Sequence, residues 1–436
     1  MAENNTFRGG NPTWANACVG DNGNPSYVEY SKGFSQAANL LINLAISDEG
    51  KKLHVDDLVY PICFNMRHSI ELRLKGAIEE IHTIARHKNI NITFDLSASH
   101  DIGNIWKFFK TTSESLDYRF RSINSTIDPT IVDIASVDAT GQTFRYPTNN
   151  ESKKHLVDVS IINFFILKNK FSALEKELDA LHTPTIILSE EYSHGTFTSK
   201  LNRPQLYKIA KNIPPISSWA QGTLGDVKKA ICKNYGLSSN DFNKAIAKIR
   251  EHHYLSSLIG EIRPLLGVSN DQVLEFFDYW SELHPPTDDD DDDDEANSLF
   301  DANYETMIKE ITDRARIKSK AWEAMEPILA AKVVAGLRAL YYFARDKDYV
   351  EYYPKLYRHE LNILNNHPTD IKRSFNHIFE KTNALRNVLI TLFAIGNTGL
   401  AEMLLKSYTV DPAFIESLKK RALFHFPDIA VYDTET

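Results

Sequence analysis

Through most of the chain apolar residues recur every three or four positions, the period of a helix with one buried face. Tyr30, Phe34, Ala37, Ala38, Leu41 and Leu44 fall at that spacing and predict a first helix with those side chains inward. A second helix starts near Asp56 or Pro61, since proline suits a first turn, and runs to about Arg86. Its stripe is Ile62, Met66, Ile70, Leu74, Ala77 and Ile81. A third opens at Ser99 and carries Ile102, Ile105, Trp106 and Phe109. Over 124–150, Asp128-Pro129, Gly141 and Pro147 read as turn chemistry, with at most a short helix over 129–135. A long helix is expected over about 153–181, and the β-branched run at 183–188 allows a short strand. Short loops between such helices make antiparallel neighbours. Residues 28–183 therefore read as a helical bundle behind an Asn- and Gly-rich arm at 1–27.

Helical periodicity continues over 184–283, interrupted by Pro204, Pro214-Pro215, Gly236, Pro264 and Gly267. A helix over 224–235, Gly236, and a second helix capped at Ser239 or Asn240 and running to about His252 have the layout of a helix-turn-helix. Its inward positions are Phe242, Ala245, Ile246 and Ile249. Gly236-Leu-Ser-Ser-Asn-Asp and Gly267-Val-Ser-Asn-Asp both read as a helix stop followed by an N-cap. Prolines followed by like charges make 284–298 a linker. Beyond it, 299–436 reads as a C-terminal helical domain with long amphipathic stretches at 308–345 and 368–395, the latter stopped by Gly396. Trp322, Met325, Ile328, Leu329 and Val333 have core spacing. The expected class is all-α, with an N-terminal bundle, a middle helix-turn-helix-like segment and a C-terminal helical domain.

Charge changes this picture in one place. The chain carries a formal −9, but 288–295 supplies eight of those charges, so the remainder is close to neutral. A polyanion-binding surface would have to be a patch. Three widely spaced cysteines, Cys18, Cys63 and Cys232, argue against a disulfide framework or a Cys-x-x-Cys metal site. Nowhere do eighteen apolar residues run together, and the N-terminus lacks a leader pattern, so a cytoplasmic protein without a membrane span is expected.

Candidate chemistry begins on the second helix. Arg67, Glu71, Lys75 and Glu79 recur every four residues along the edge opposite the apolar stripe. On residue chemistry alone they read as a solvent-side ladder of ion pairs. The string from Asn65 to Ile78, with Arg67-His68 ahead of Glu71, resembles the second helix of HEPN-type bundles. His100-Asp101 at the head of another helix and Phe144-Arg145-Tyr146-Pro147 after a polar loop also resemble that group. The resemblance covers about 30–180. It implies a small all-α bundle that dimerises or has protein partners, from bacterial toxin–antitoxin, stress or phage-defence systems. Many members are metal-independent ribonucleases, in which an imidazole moves protons and a guanidinium stabilises phosphate charge. Their usual Arg, four to six residues, then His is missing: Arg373 to His377 and Arg421 to His425 have three between, Arg145 to His155 nine, Arg358 to His367 eight. Either the domain binds without catalysis, which the missing motif favours, or the fold assembles Arg67, His68 and Arg145 as another catalytic arrangement.

A second candidate lies in the middle segment. Between Arg203 and His253 nine Lys or Arg face three acids, a local charge of +6. Lys228, Lys229, Lys233, Lys244 and Lys248 are the candidate contacts to RNA or DNA phosphates. The acidic run could compete with phosphate for that segment. No phosphate loop, nucleophile elbow or His-Glu-x-x-His motif occurs, and His87 and His252-His253 lack ligand partners at metal spacing. No cofactor or metal is expected. The expected function is nucleic-acid binding, with ribonuclease activity as one form of it. The alternative is a scaffold or regulatory subunit that contacts proteins and no nucleic acid.

Overall fold

The computed structural model describes residues 4–47, 53–148, 152–285, 304–345, 349–421 and 423. Among these the regular elements are helices, accompanied by one isolated bridge between Thr148 and Lys154. The class is all-α, and the chain divides into two compact units, 1–195 and 196–436.

The first unit is built around one long helix. In chain order it contains α1 (Tyr27–Ile46), α2 (Val55–His87), α3 (Ile102–Leu116), α4 (Phe120–Asp138) and α5 (Phe164–Ser193). Helices α1, α3 and α5 pack on α2, and α4 packs on α3 and α5. All six stripe residues of α2 are buried. Arg67, Glu71 and Lys75 on the opposite edge are buried as well, at 3%, 2% and 4% exposure. The expected solvent-side ladder is therefore overturned: with neighbours on three sides, α2 has almost no wet face, and only Glu79 of the four is exposed.

Helix α1 corrects the phase of the first pattern. Its buried residues are Ser31, Ser35, Ala38, Ile42 and Ala45, while Tyr30 and Leu44 are 52% and 41% exposed. Small residues face α2 because the two backbones run close; a Cβ at Gly76 would touch Tyr27 and Val28 at 3.5 Å. Ser26 starts this helix in a capping box with Glu29. Helix α3 starts at Ile102, three residues later than expected from Ser99, because Asp101 is the cap and its carboxylate accepts from the Asn104 amide at 2.9 Å.

Three further boundaries differ, two of them at prolines. Within 124–150 turn structure begins only at 139, where Gly141 turns the chain as expected; before it α4 runs through Pro129, with Ile127 and Ile131 both fully buried. The helix expected over 153–181 instead begins at Phe164, where Asn163 caps the Phe165 and Ile166 amides, and continues to Ser193. Residues 183–188 are thus helix, not strand, and Pro184 lies between buried Leu181 and buried Thr185 and Leu188. A mid-helix proline costs one hydrogen bond, but the amphipathic face continues past it and burial decides.

The second unit contains α6 (Arg203–Asn212), α7 (Leu224–Tyr235), α8 (Ser239–Glu251), α9 (His253–Leu258), α10 (Asn270–Leu283), α11 (Tyr304–Met325), α12 (Ala331–Tyr342), α13 (Tyr352–Asn366), α14 (Ile371–Phe379), α15 (Ala384–Ile395), α16 (Thr398–Ser407) and α17 (Pro412–Lys419). One hydrophobic core joins α10 to the helices beyond the acidic run, with Phe276, Phe277, Leu340, Phe375 and Leu389 at its centre. The run itself lies outside the described residues. The amphipathic stretch 308–345 divides at a 3-10 turn, Glu326–Ile328, and 368–395 divides between Phe379 and Ala384. Gly396 adopts φ +79° and closes α15 as expected. Met325, Leu329 and Val333 are core residues, and Trp322 and Ile328 pack against them. Gly236 ends α7 at φ +61° and Ser238 caps α8, so the helix–Gly–helix hairpin is present. Ser269 caps α10 likewise, but Gly267 follows a loop and stops no helix.

Candidate functional site

A cleft of about 650 Å³ opens in the first unit between the middle of α2, the head of α3 and the turn after α4. Phe64, Arg67, His68, Glu71, His100, Asp101, Asn104, Gly141, Gln142 and Arg145 are among its lining residues. The three candidates Arg67, His68 and Arg145 thus meet in one cleft. They occupy it in different ways.

Glu71 sits at its base. Its Oε1 accepts from Lys75 Nζ at 2.9 Å and lies 3.0 Å from His100 Nδ1. Its Oε2 pairs with Arg67 and lies 3.7 Å from His68 Nδ1. Burial pushes this carboxyl up, but His68, Lys75, Arg67 and His100 together overcome it and hold Glu71 well below the usual carboxylate range. The group stays ionised at any physiological pH. One buried anion thus faces two permanent cations and two imidazoles.

Arg67 is a clasp. Its Nε donates to the Asp138 carbonyl at 3.3 Å, and its terminal nitrogens donate to Glu71, to the His100 carbonyl and to the Ala139 carbonyl at 2.7 Å. These bonds join the end of α4 to the segment that precedes α3. Gly141 completes the clasp: at φ +77° the chain doubles back so closely that a Cβ there would sit 3.0 Å from the Arg67 guanidinium. Asp138 Oδ1 accepts from the Thr143 amide at 3.1 Å and fixes the same turn. With its donors engaged by the fold, Arg67 positions His100 rather than facing the opening.

The two imidazoles face outward. His68 is packed edge-on against Phe34 at 4.4 Å and stacked on Phe64 at 5.7 Å, with its side chain 28% exposed. The His100 side chain is 61% exposed. With Nδ1 of His100 held on Glu71, Nε2 is the nitrogen turned to an incoming group. Arg145 is exposed at the rim, its guanidinium over Phe64 at 5.5 Å and over Tyr146 at 5.2 Å. Cys63, which precedes the cleft residue Phe64 on α2, is buried, and burial, with Asp138 nearby, pushes its thiol up to about 12, which makes it a poor nucleophile.

The residues that sequence reasoning missed are Glu71, taken for surface, and His100, seen only as part of a family string. The spacing of Arg67, His68 and Glu71 on one helix was legible. That His100, 29 positions on, closes on Glu71 was not.

The middle segment is less basic in space than in sequence. Arg203 is buried against Glu351 at 2.8 Å, and Arg250 pairs with Glu261 at 2.7 Å; both acids lie outside the 203–253 window. Lys229 pairs with Asp226 and Lys248 with Glu251, each at 3.1 Å, and Lys228 lies 5.3 Å over the Phe242 ring. Lys233 and Lys244 are exposed on the wet faces of α7 and α8. His252 and His253 are core residues, the former 3.2 Å from Glu351.

Among the described residues no group of three or more His, Cys, Asp or Glu is placed to hold a metal ion, and no helix is long and apolar enough to cross a membrane. Comparison with protein-family models, with curated proteins and with solved structures finds no match.

Proposed function

We propose that the first unit binds RNA in the Glu71 cleft and cleaves it without a metal ion. The observation that carries this reading is the pair of outward-facing imidazoles, His68 and His100, gathered around one buried carboxylate. Cleavage of RNA by its own 2′-hydroxyl needs a base for that hydroxyl and an acid for the departing 5′-oxygen. One imidazole takes the 2′-hydroxyl proton; the 2′-oxygen then attacks phosphorus and the P–O5′ bond breaks. The other imidazole gives its proton to the leaving oxygen. The products are a 2′,3′-cyclic phosphate and a free 5′-hydroxyl, so the proton count balances. Glu71 fixes the His100 tautomer and stabilises whichever ring is protonated. Arg145 at the rim pairs with the phosphate, and Phe64 and Tyr146 offer faces on which a base stacks. In the second unit, the exposed lysines of α7 and α8 offer phosphate contacts of their own.

The test is direct. Full-length protein in excess chelator is incubated with end-labelled RNA and with DNA of the same sequence. The expected result is RNA cut to cyclic-phosphate ends, DNA intact, and both His68→Ala and His100→Ala inactive. Intact RNA between pH 5 and 8 would overturn the reading.

A further inference from the structure

A second basic surface lies in the second unit, on α14 and the end of α12, where no candidate motif pointed. We propose that it is a binding site for single-stranded nucleic acid, separate from the Glu71 cleft and independent of whether that cleft is catalytic.

The outer face of α14 carries Lys372, Arg373, Asn376 and His377, while Phe375, Ile378 and Phe379 form its buried face. With Thr369 and Glu380, those outer residues line an open cleft of about 510 Å³. The Tyr342 ring stands beside it. His377 stacks on that ring at 6.3 Å and 20°, and the guanidiniums of Arg338 and Arg345 each lie 5.0 Å from its centre. Lys372 Nζ lies 5.1 Å over the half-buried Trp322 ring of α11. Four basic side chains thus lie against two aromatic rings, with Arg373 lining the same cleft and Lys381 close enough to act on His377.

Their counter-charges are few. Glu360 pairs with Arg338, and Glu380 pairs with Lys318 at 2.7 Å. Lys372, Arg373, Arg345 and Lys381 have no carboxylate partner among the described residues. Gathering like charges this closely costs the fold repulsion, which a bound polyanion relieves. The field is felt locally: desolvation first, then Lys381 and Arg338, lower the His377 pKa against the pull of Glu380, with Arg345 lowering it further. Cations interleaved with ring faces are what a flexible strand requires, phosphates on the charges and bases on the rings. A compact anion would be held by one tight cradle of donors; here the cations spread along a helix and across to its neighbour. That spread favours a strand.

The experiment uses the full chain and a fluorescent oligo-deoxythymidylate, which lacks the 2′-hydroxyl and so is not consumed by the first unit. Lys372→Glu with Arg373→Glu, both at exposed positions, is expected to weaken binding about tenfold at low salt and to lower the log–log salt slope by roughly one to two. Lys372→Arg with Arg373→Lys keeps both. A bromouracil-substituted strand is expected to photocrosslink within 338–345 or 369–381. Crosslinks confined to other segments, or an unchanged affinity and slope in the charge-reversed protein, would overturn the proposal. Failure of RNA cleavage would leave it standing.

Discussion

The Glu71 cluster and the Asp117–Arg119–Glu191 cluster are both buried ionic centres in the first unit, and both tie a loop between helices to a long helix. Arg119 is bidentate to each of its carboxylates, with Nη2 at 2.7 Å from both Asp117 and Glu191. Tyr192 donates to Asp117 at 2.8 Å, and Lys88 lies 4.7 Å over the Tyr192 ring. Two acids there answer two bases, and the ion-pair side chains are at most 8% exposed. Burial pushes the Tyr192 hydroxyl up, and Asp117 pushes it further, so that hydroxyl keeps its proton. Around Glu71 one acid answers two cations, and the surplus positions are imidazoles that reach solvent. The same residue chemistry makes a closed strut in one place and an open acid–base centre in the other. Charge balance and exposure separate them.

Removing the central buried charge of either cluster, Glu71 or Arg119, should cost about 3–5 kcal/mol, because the remaining charges stay buried and unanswered. Glu71→Gln and Arg119→Met should therefore lower the denaturant midpoint by similar amounts, while only Glu71→Gln lowers RNA cleavage per folded molecule. Equal losses of rate would erase the distinction. For Glu71 the pH dependence has a definite sign. A depressed carboxyl contributes stability that is complete above its unfolded value near 4.5 and is lost as pH falls toward the folded value. The wild-type advantage over Glu71→Gln should hold from pH 8 to 5 and shrink below that.

The next effect is in rate alone. His100→Ala should reduce cleavage by roughly 10²–10⁴-fold and move the thermal midpoint little, since its side chain is 61% exposed. Smaller still, Gly141→Ala should cost about 1–2 kcal/mol for its left-handed backbone, measured by denaturation, and displace Arg67. The smallest change expected is for Lys233→Glu with Lys244→Glu. Their loss should weaken oligonucleotide binding a few-fold and lower the salt slope by about one. No change in anisotropy titrations would remove α7 and α8 from the interface.

The sequence pattern found the elements better than their ends. Periodicity located α2, α3 and the core stripe at Met325, Leu329 and Val333, because each needs only side-chain order along one helix. It erred at Pro129 and Pro184, where local chemistry points to a break and burial of the flanking apolar residues carries the helix through. It also misjudged the phase of α1, since small residues that allow close approach look no different from surface residues on a helical wheel.

Of the candidate site, the sequence alone determined that Arg67, His68, Glu71 and Lys75 share neighbouring turns of one helix, since 3.6 residues per turn requires it. The tertiary structure decided whether that edge met water or protein, and packing on three sides of α2 buried it. Tertiary structure also brought His100 and the turn at Gly141 onto Glu71, and brought α12 beside α14. Contacts so distant in sequence are set by how helices pack, and no periodicity along a single helix encodes them.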